Sequence, residues 1–209
     1  SDLRTGSFTG GSGEEALVSA AAAQMINHYD LVSSVGAGMT DSKLPDNQAG
    51  YEIGITVALA ALTGCNNVSE SAGMMGSLMA YSPESLVIDN DMLGTVLRTV
   101  RGLAVNEETR SFDVINSVVH GEGHFLRSDL TVELLSSEYE YPELADRTPP
   151  GLWENLGAMV IREAAAERVR TILSSHYPEY IDPDVDARIR EQFPIMLPRE
   201  HMFAGSGRW

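Results

Sequence analysis

Three helix starts of the same chemical kind punctuate the first hundred residues. Ser12 stands before Gly13-Glu14-Glu15, Asp46 before Asn47-Gln48, and Ser82 before Pro83-Glu84. Each offers a short side-chain oxygen to the unpaired N–H groups of a first helical turn; Ser12 with Glu15 makes a capping box, and Pro83 holds the first helical position. The starts recur at near-regular intervals, and apolar runs (Leu31 to Val35, Cys65 to Val68) stand before two of them. Short strand, loop, capped helix is the rhythm of β-loop-α units in a parallel sheet. The crossover rule then puts the loops 2–11, 36–46 and 69–81 at one end of the sheet, where α/β proteins carry their chemistry.

The helices themselves are expected at about 13–28, 47–63 and 83–101, with Gly64 and Gly102 ending the second and third. The body of the second, Ile53 to Leu62, is apolar nearly all round, which demands packing on several sides or a subunit interface. After Gly102 the pattern becomes mostly helical. One helix is expected from Asn106 to about Val119, a short one from Ser128 or Asp129 to Leu135, a long one from Leu152 to Ser175, and a last one after Asp182-Pro183. Tyr139 to Pro150 reads as a loop, and Gly205 to Trp209 as a loose tail. The expectation is an α/β fold: residues 1–104 form about three βα units, and residues 105–209 form a mainly helical region packing on the same domain. Three units cannot close a barrel of eight, so they form either a small open sheet or the carboxyl-terminal part of a barrel.

Composition narrows the function classes. At 209 residues, 43% hydrophobic and 21% charged, the chain is long and apolar enough for one folded domain. No apolar run reaches the roughly 20 residues of a membrane span. The polar, glycine-rich start reads as no signal peptide, and the missing initiator methionine is expected to reflect processing or membership of a longer protein. The single cysteine, Cys65, has no internal partner, which fits a reducing, cytoplasmic setting. A net charge of −16 argues against nucleic acid and anionic membranes and is compatible with a cationic ligand or a basic partner.

The loop after Val35 concentrates the chemistry. Gly36-Ala37-Gly38 is followed by Asp41, Lys43, Asp46 and Gln48. Asp46 is foremost a helix cap, and Lys43 pairs with a ligand carboxylate or with Asp41 or Asp46. Met74, Met75 and Met79 read as core filler, and Tyr51 and Tyr81 as ordinary packing. In His120-Gly121-Glu122-Gly123-His124 two glycines spoil helical ligand spacing and no third ligand is evident, so no metal site is expected.

Several blocks resemble the trimethylamine methyltransferase family: Gly11-Ser12-Gly13-Glu14-Glu15-Ala16-Leu17, then Thr40-Asp41-Ser42-Lys43-Leu44-Pro45-Asp46-Asn47-Gln48-Ala49-Gly50-Tyr51-Glu52. Ala72-Gly73-Met74, Leu86 to Asp91, Phe125-Leu126 and Thr131 support it, and the block from Asp41 to Glu52 is the most specific. The resemblance implies the carboxyl-terminal part of a (βα)8 TIM-type barrel about twice as long. It implies methyl transfer from a methylated amine to the Co(I) corrinoid (cobalamin) of a partner protein, with no cofactor held tightly by this chain. Met39 stands where archaeal members carry pyrrolysine, which points to a quaternary amine such as a betaine. The implied site is Met39, Asp41 and Lys43 for catalysis, with Thr40, Asp46, Gln48, Glu52, His124 and Phe125 around the substrate. The apolar stretch 53–62 adds an expectation of a homo-oligomer. Two other readings use the same residues: a Schiff-base enzyme built on Lys43, and a non-catalytic half-barrel that binds a quaternary ammonium compound.

Overall fold

The computed structural model describes residues 1–121 and 123–206. Helix α1 (Gly13–His28) leads to strand β1 (Ser34–Gly36), helix α2 (Asn47–Leu62) and strand β2 (Asn67–Ser69). β1 and β2 pair in parallel, with Ser34 opposite Asn67, Val35 opposite Val68 and Gly36 opposite Ser69. The strands and the intervening helix therefore form one βαβ unit. A hairpin follows, β3 (Met74–Met75) against β4 (Ala80–Tyr81), and then helix α3 (Pro83–Arg101).

The three expected caps form, but the capping box at Ser12 does not close, because the Glu15 carboxylate turns to the Ser19 hydroxyl and not to the Ser12 N–H. Ser12 accepts from the Glu15 N–H, Asp46 from the Ala49 N–H and Ser82 from the Ser85 N–H. Helix α2 packs between α1 and α3, which accounts for its apolar circumference. The core gathers Ala23 from α1, Val35 from β1 and Ala37 just after it, Ile53, Val57 and Ala60 from α2, Met75 from the hairpin and Val96 from α3. Alanines at the contacts let the elements approach closely, so close packing rather than bulk fills this core.

Three expectations change in the first hundred residues. No strand precedes α1, so among the described residues the three βα units reduce to one parallel pair, and an arc of a barrel is not traced by these strands. The apolar run from Leu31 is not a buried strand: Val32 is 84% exposed, because β2 begins opposite Ser34 and offers nothing for Leu31 or Val32 to pair with. The loop 69–81 contains the β3–β4 hairpin. Its tip, Gly76-Ser77-Leu78, has three consecutive residues in the left-handed region.

Beyond α3 come α4 (Phe112–Val119), α5 (Asp129–Ser137), α6 (Pro150–Asn155), α7 (Ile161–Ser175) and α8 (Pro183–Gln192). Asn106 caps only a turn, through its bond from the Thr109 N–H, and Ser111 at φ 52° stops propagation until Phe112. The expected long helix from Leu152 is broken. Gly157 and Ala158 take positive φ, the Trp153 indole N–H bridges the break to the Met159 carbonyl, and α7 restarts with Glu163 accepting from the Val160 N–H. Helix α7 lies along α3 and fastens the helical region to the βαβ unit. No helix among the described residues is long and apolar enough to cross a membrane.

Candidate functional site

The loop between β1 and α2 is held from below by one carboxylate. Glu52, one turn into α2 and 7% exposed, accepts at Oε2 from the Thr40 hydroxyl at 2.5 Å and the Asp41 N–H at 2.8 Å. Its Oε1 accepts from the Gln48 side-chain amide at 2.9 Å. Thr40 Oγ1 in turn accepts from the Ser42 N–H at 3.0 Å. Gly38 donates to Thr56 Oγ1 and passes so close to Ser71 that a Cβ would lie 2.6 Å from the Ser71 backbone. Gly11 lies directly against Glu52, where a Cβ would overlap the carboxylate. Close approach is thus the reason for glycine at positions 11 and 38.

The loop is held from above by the hairpin. Thr40 N–H donates to the Met74 carbonyl, Gly76 N–H to the Ser42 carbonyl and Ser77 N–H to the Thr40 carbonyl. Asp41 is fixed between these supports. Its Oδ1 accepts from the Gly10 N–H at 3.0 Å and the Ser77 hydroxyl at 2.7 Å.

Two open cavities meet at Asp41. One, of about 790 Å³, is lined by Phe8, Thr9, Glu15, Ser19, Asp41 and Glu52 among others. The other, of about 510 Å³, has Phe8, Thr9, Asp41, Lys43, Ser77 and Met79 in its wall. Asp2, Phe8, Thr9 and Asp41 therefore line both. Carboxylates and an aromatic ring in one cavity wall suit an organic cation, through charge and the ring's electron-rich face. In the first cavity, Glu15 Oε1 accepts from the Ser19 hydroxyl at 2.6 Å. Burial pushes the Glu15 carboxyl above the usual range, and the charge of Glu70 adds to the shift.

The residues singled out from the sequence separate into groups. Asp41 and Lys43 line the cavities; Lys43 is exposed, its ammonium donating to the Asp41 carbonyl at 2.6 Å. Thr40, Gln48 and Glu52 are brought together with them as the supporting network. Asp46 is the α2 cap. The Ala49 N–H and the Ser42 hydroxyl both bond its carboxylate and hold its pKa below the usual range. Met39 is buried beneath Gly10, where a Cβ on residue 10 would come within 2.7 Å of it. His124 and Phe125 sit at the start of a 3-10 turn next to α5 and line neither cavity. Glu122 of the histidine segment lies outside the described residues, and among those described no group of three His, Cys, Asp or Glu side chains is arranged to hold a metal. Phe8 and Ser77 were not singled out from the sequence. Nothing in their neighbourhoods marks them, because both reach Asp41 only through the tertiary fold. The Gly10-Gly11 pair was the one local hint of a close approach.

The sequence profile described as trimethylamine methyltransferase (MTTB) matches residues 1–195. The chain is 37% identical over 190 residues to a glycine betaine methyltransferase of Desulfitobacterium hafniense, covering 91% of this chain and 39% of that relative. It is 39% identical over 184 residues to the trimethylamine methyltransferase MttB of Methanosarcina thermophila, covering 88% of this chain and 38% of the relative. A second Desulfitobacterium hafniense protein, a trimethylamine methyltransferase MttB, is 31% identical over 189 residues, with coverages of 90% and 38%. The chain thus spans about two fifths of the length of these curated relatives. With the family profile matched along nearly its whole length, the chain belongs to the trimethylamine methyltransferase family.

Proposed function

We propose that the protein takes part in methyl transfer from a quaternary ammonium compound to the Co(I) corrinoid of a partner protein. The observation that carries this reading is the Phe8–Asp41 pair at the junction of the two cavities, in a chain whose relatives are named for trimethylamine and glycine betaine. The corrinoid supplies the nucleophile, and it arrives on the partner. The residues of this chain bind the ammonium, aim one methyl outward and exclude water around it. A quaternary ammonium leaves as a neutral tertiary amine, so no general acid is required to release it.

Asp41 supplies the charge that holds the cation and Phe8 the apolar face. Met39, buried under Gly10, holds the loop's shape beneath them. Lys43, at the rim, is placed to meet the carboxylate of a betaine; an exposed ammonium bonded to a backbone carbonyl lacks the desolvation that makes a Schiff-base lysine nucleophilic. The wider architecture under this reading is a segment of a (βα)8 barrel, with the β1–α2 and β2–α3 loops at its mouth.

The test is a demethylation assay of the protein with glycine betaine and trimethylamine in turn, using a reduced corrinoid protein as acceptor. Consumption of Co(I), followed by its absorbance, should appear with the quaternary donor and drop by about a hundredfold in Asp41→Asn, which loses the counter-charge. Absence of transfer with every methylated ammonium tried, in a protein that binds them, would leave a binding function in its place.

A further inference from the structure

We propose that Ser77 is the positioning residue for Asp41, and that the left-handed turn Gly76-Ser77-Leu78 exists to deliver its hydroxyl. This inference rests on the reading of Asp41 as the counter-charge of a methylated ammonium.

Asp41 Oδ1 is occupied by two donors from different segments, the Gly10 N–H and the Ser77 hydroxyl. Among the described residues no donor reaches Oδ2. A carboxylate so held is restrained about its last bond, and the second oxygen is left without a protein donor in a residue that lines the cavities shared with Phe8. The donor comes at the expense of backbone comfort. Gly76, Ser77 and Leu78 have φ of 57°, 58° and 69°, and two of the three carry side chains that disfavour this region. Such a conformation persists only where its surroundings impose it. Here the Gly76 and Ser77 N–H groups are both spent on carbonyls of the Asp41 loop, so turn and loop fix each other. The hairpin is then part of the site's wall, and the strained turn sets the direction of the charge.

The two halves of the idea separate in one experiment. Ser77→Gly removes the hydroxyl and relaxes the φ 58° position, so the turn is retained. Ser77→Asn keeps a donor and tolerates the left-handed region. The probe is tetramethylammonium, titrated calorimetrically in the absence of any corrinoid protein. Affinity is expected to fall about tenfold in Ser77→Gly with an unchanged melting temperature, and to recover most of that loss in Ser77→Asn. In the methyl-transfer assay the same change should appear in KM for the donor rather than in kcat. Equal affinity of wild type and Ser77→Gly overturns the proposal. Binding that follows this pattern without methyl transfer to a corrinoid protein retains it and overturns the methyl-transfer reading instead. A wild-type protein that does not bind the probe overturns both.

Discussion

Glu52 receives three hydrogen bonds and gives none. Its carboxylate is flanked by a hydroxyl, a backbone N–H and an amide N–H, and it sits under the backbone of Gly11. All three bonds arrive as donations, so both oxygens of the side chain are used as acceptors. In Glu52→Gln, one of the two side-chain positions becomes an NH₂ group facing donors, which leaves a buried polar pair unsatisfied. The expected loss is about 2–3 kcal/mol of unfolding free energy by urea titration. Unchanged stability would mean that the loop's other bonds, to the hairpin, Gly10 and Thr56, hold it without Glu52. The same network explains why residue-scale roles were only partly legible in the sequence. Asp41 and Lys43 stood out because charged residues crowd one short loop, and Glu52 only through the family resemblance. Their division into a cavity-lining acid and a supporting acid is set by which of them the α2 helix buries, and a linear spacing does not carry that. Phe8 and Ser77 were invisible for the same reason.

Elements whose causes are local were the legible ones. Ser12, Asp46 and Ser82 cap their helices as expected, because a cap is decided within four residues. The hairpin β3–β4 was not legible. Only one of its three left-handed residues is glycine, and what holds it is bonding to a loop some thirty-five residues earlier. The break at Gly157-Ala158 was missed because Ala158 looks like an ordinary helix former. Between hairpin and helix α3 the link is Asp89, which is 4% exposed and accepts at Oδ2 from the Gly73 N–H at 2.8 Å and the Ser85 hydroxyl at 2.9 Å. Burial outweighs these two bonds and raises its pKa above the ordinary carboxylate value. A raised acid binds its proton more tightly in the folded state. Its contribution to stability is therefore full below the ordinary value and is lost as pH rises through the raised one. Asp89→Asn keeps an acceptor oxygen for both bonds and has no proton to lose. Its stability relative to wild type is expected to increase as pH is raised from the ordinary carboxylate range toward neutrality, measured by urea midpoints across that range. A pH-independent difference would show that Asp89 is not held in its protonated form by the fold.

At the scale of the molecule, surface area is the informative quantity. The chain exposes 14575 Å², whereas a compact monomer of this mass, 22.6 kDa, exposes about 9,500 Å². Part of the excess lies in the extended helical region after α3, where Phe112, Tyr180 and Met196 stand in the open. Part lies on one side of the βαβ unit. Leu17, Val18 and Met25 of α1 are exposed, as are Tyr29, Leu31 and Val32 after it, next to β1. Val18, Met25 and Tyr29 follow the helical repeat, so they make a stripe rather than scattered exceptions, and such stripes mark surfaces that another protein surface covers. The net charge of −16 opposes association of like chains, but its range is only about 8–10 Å at ordinary ionic strength. Contact between apolar stripes acts within that distance, and salt favours it. The 209-residue chain on its own is therefore expected to associate reversibly. The weight-average mass from sedimentation velocity should rise with protein concentration and with salt. Val18→Glu together with Met25→Glu should return it toward the monomer, since both positions are exposed and their replacement leaves the core intact. A concentration-independent monomer at high salt would show that the stripe stays bare in water, and the cover for α1 would then have to be sought in a different protein surface.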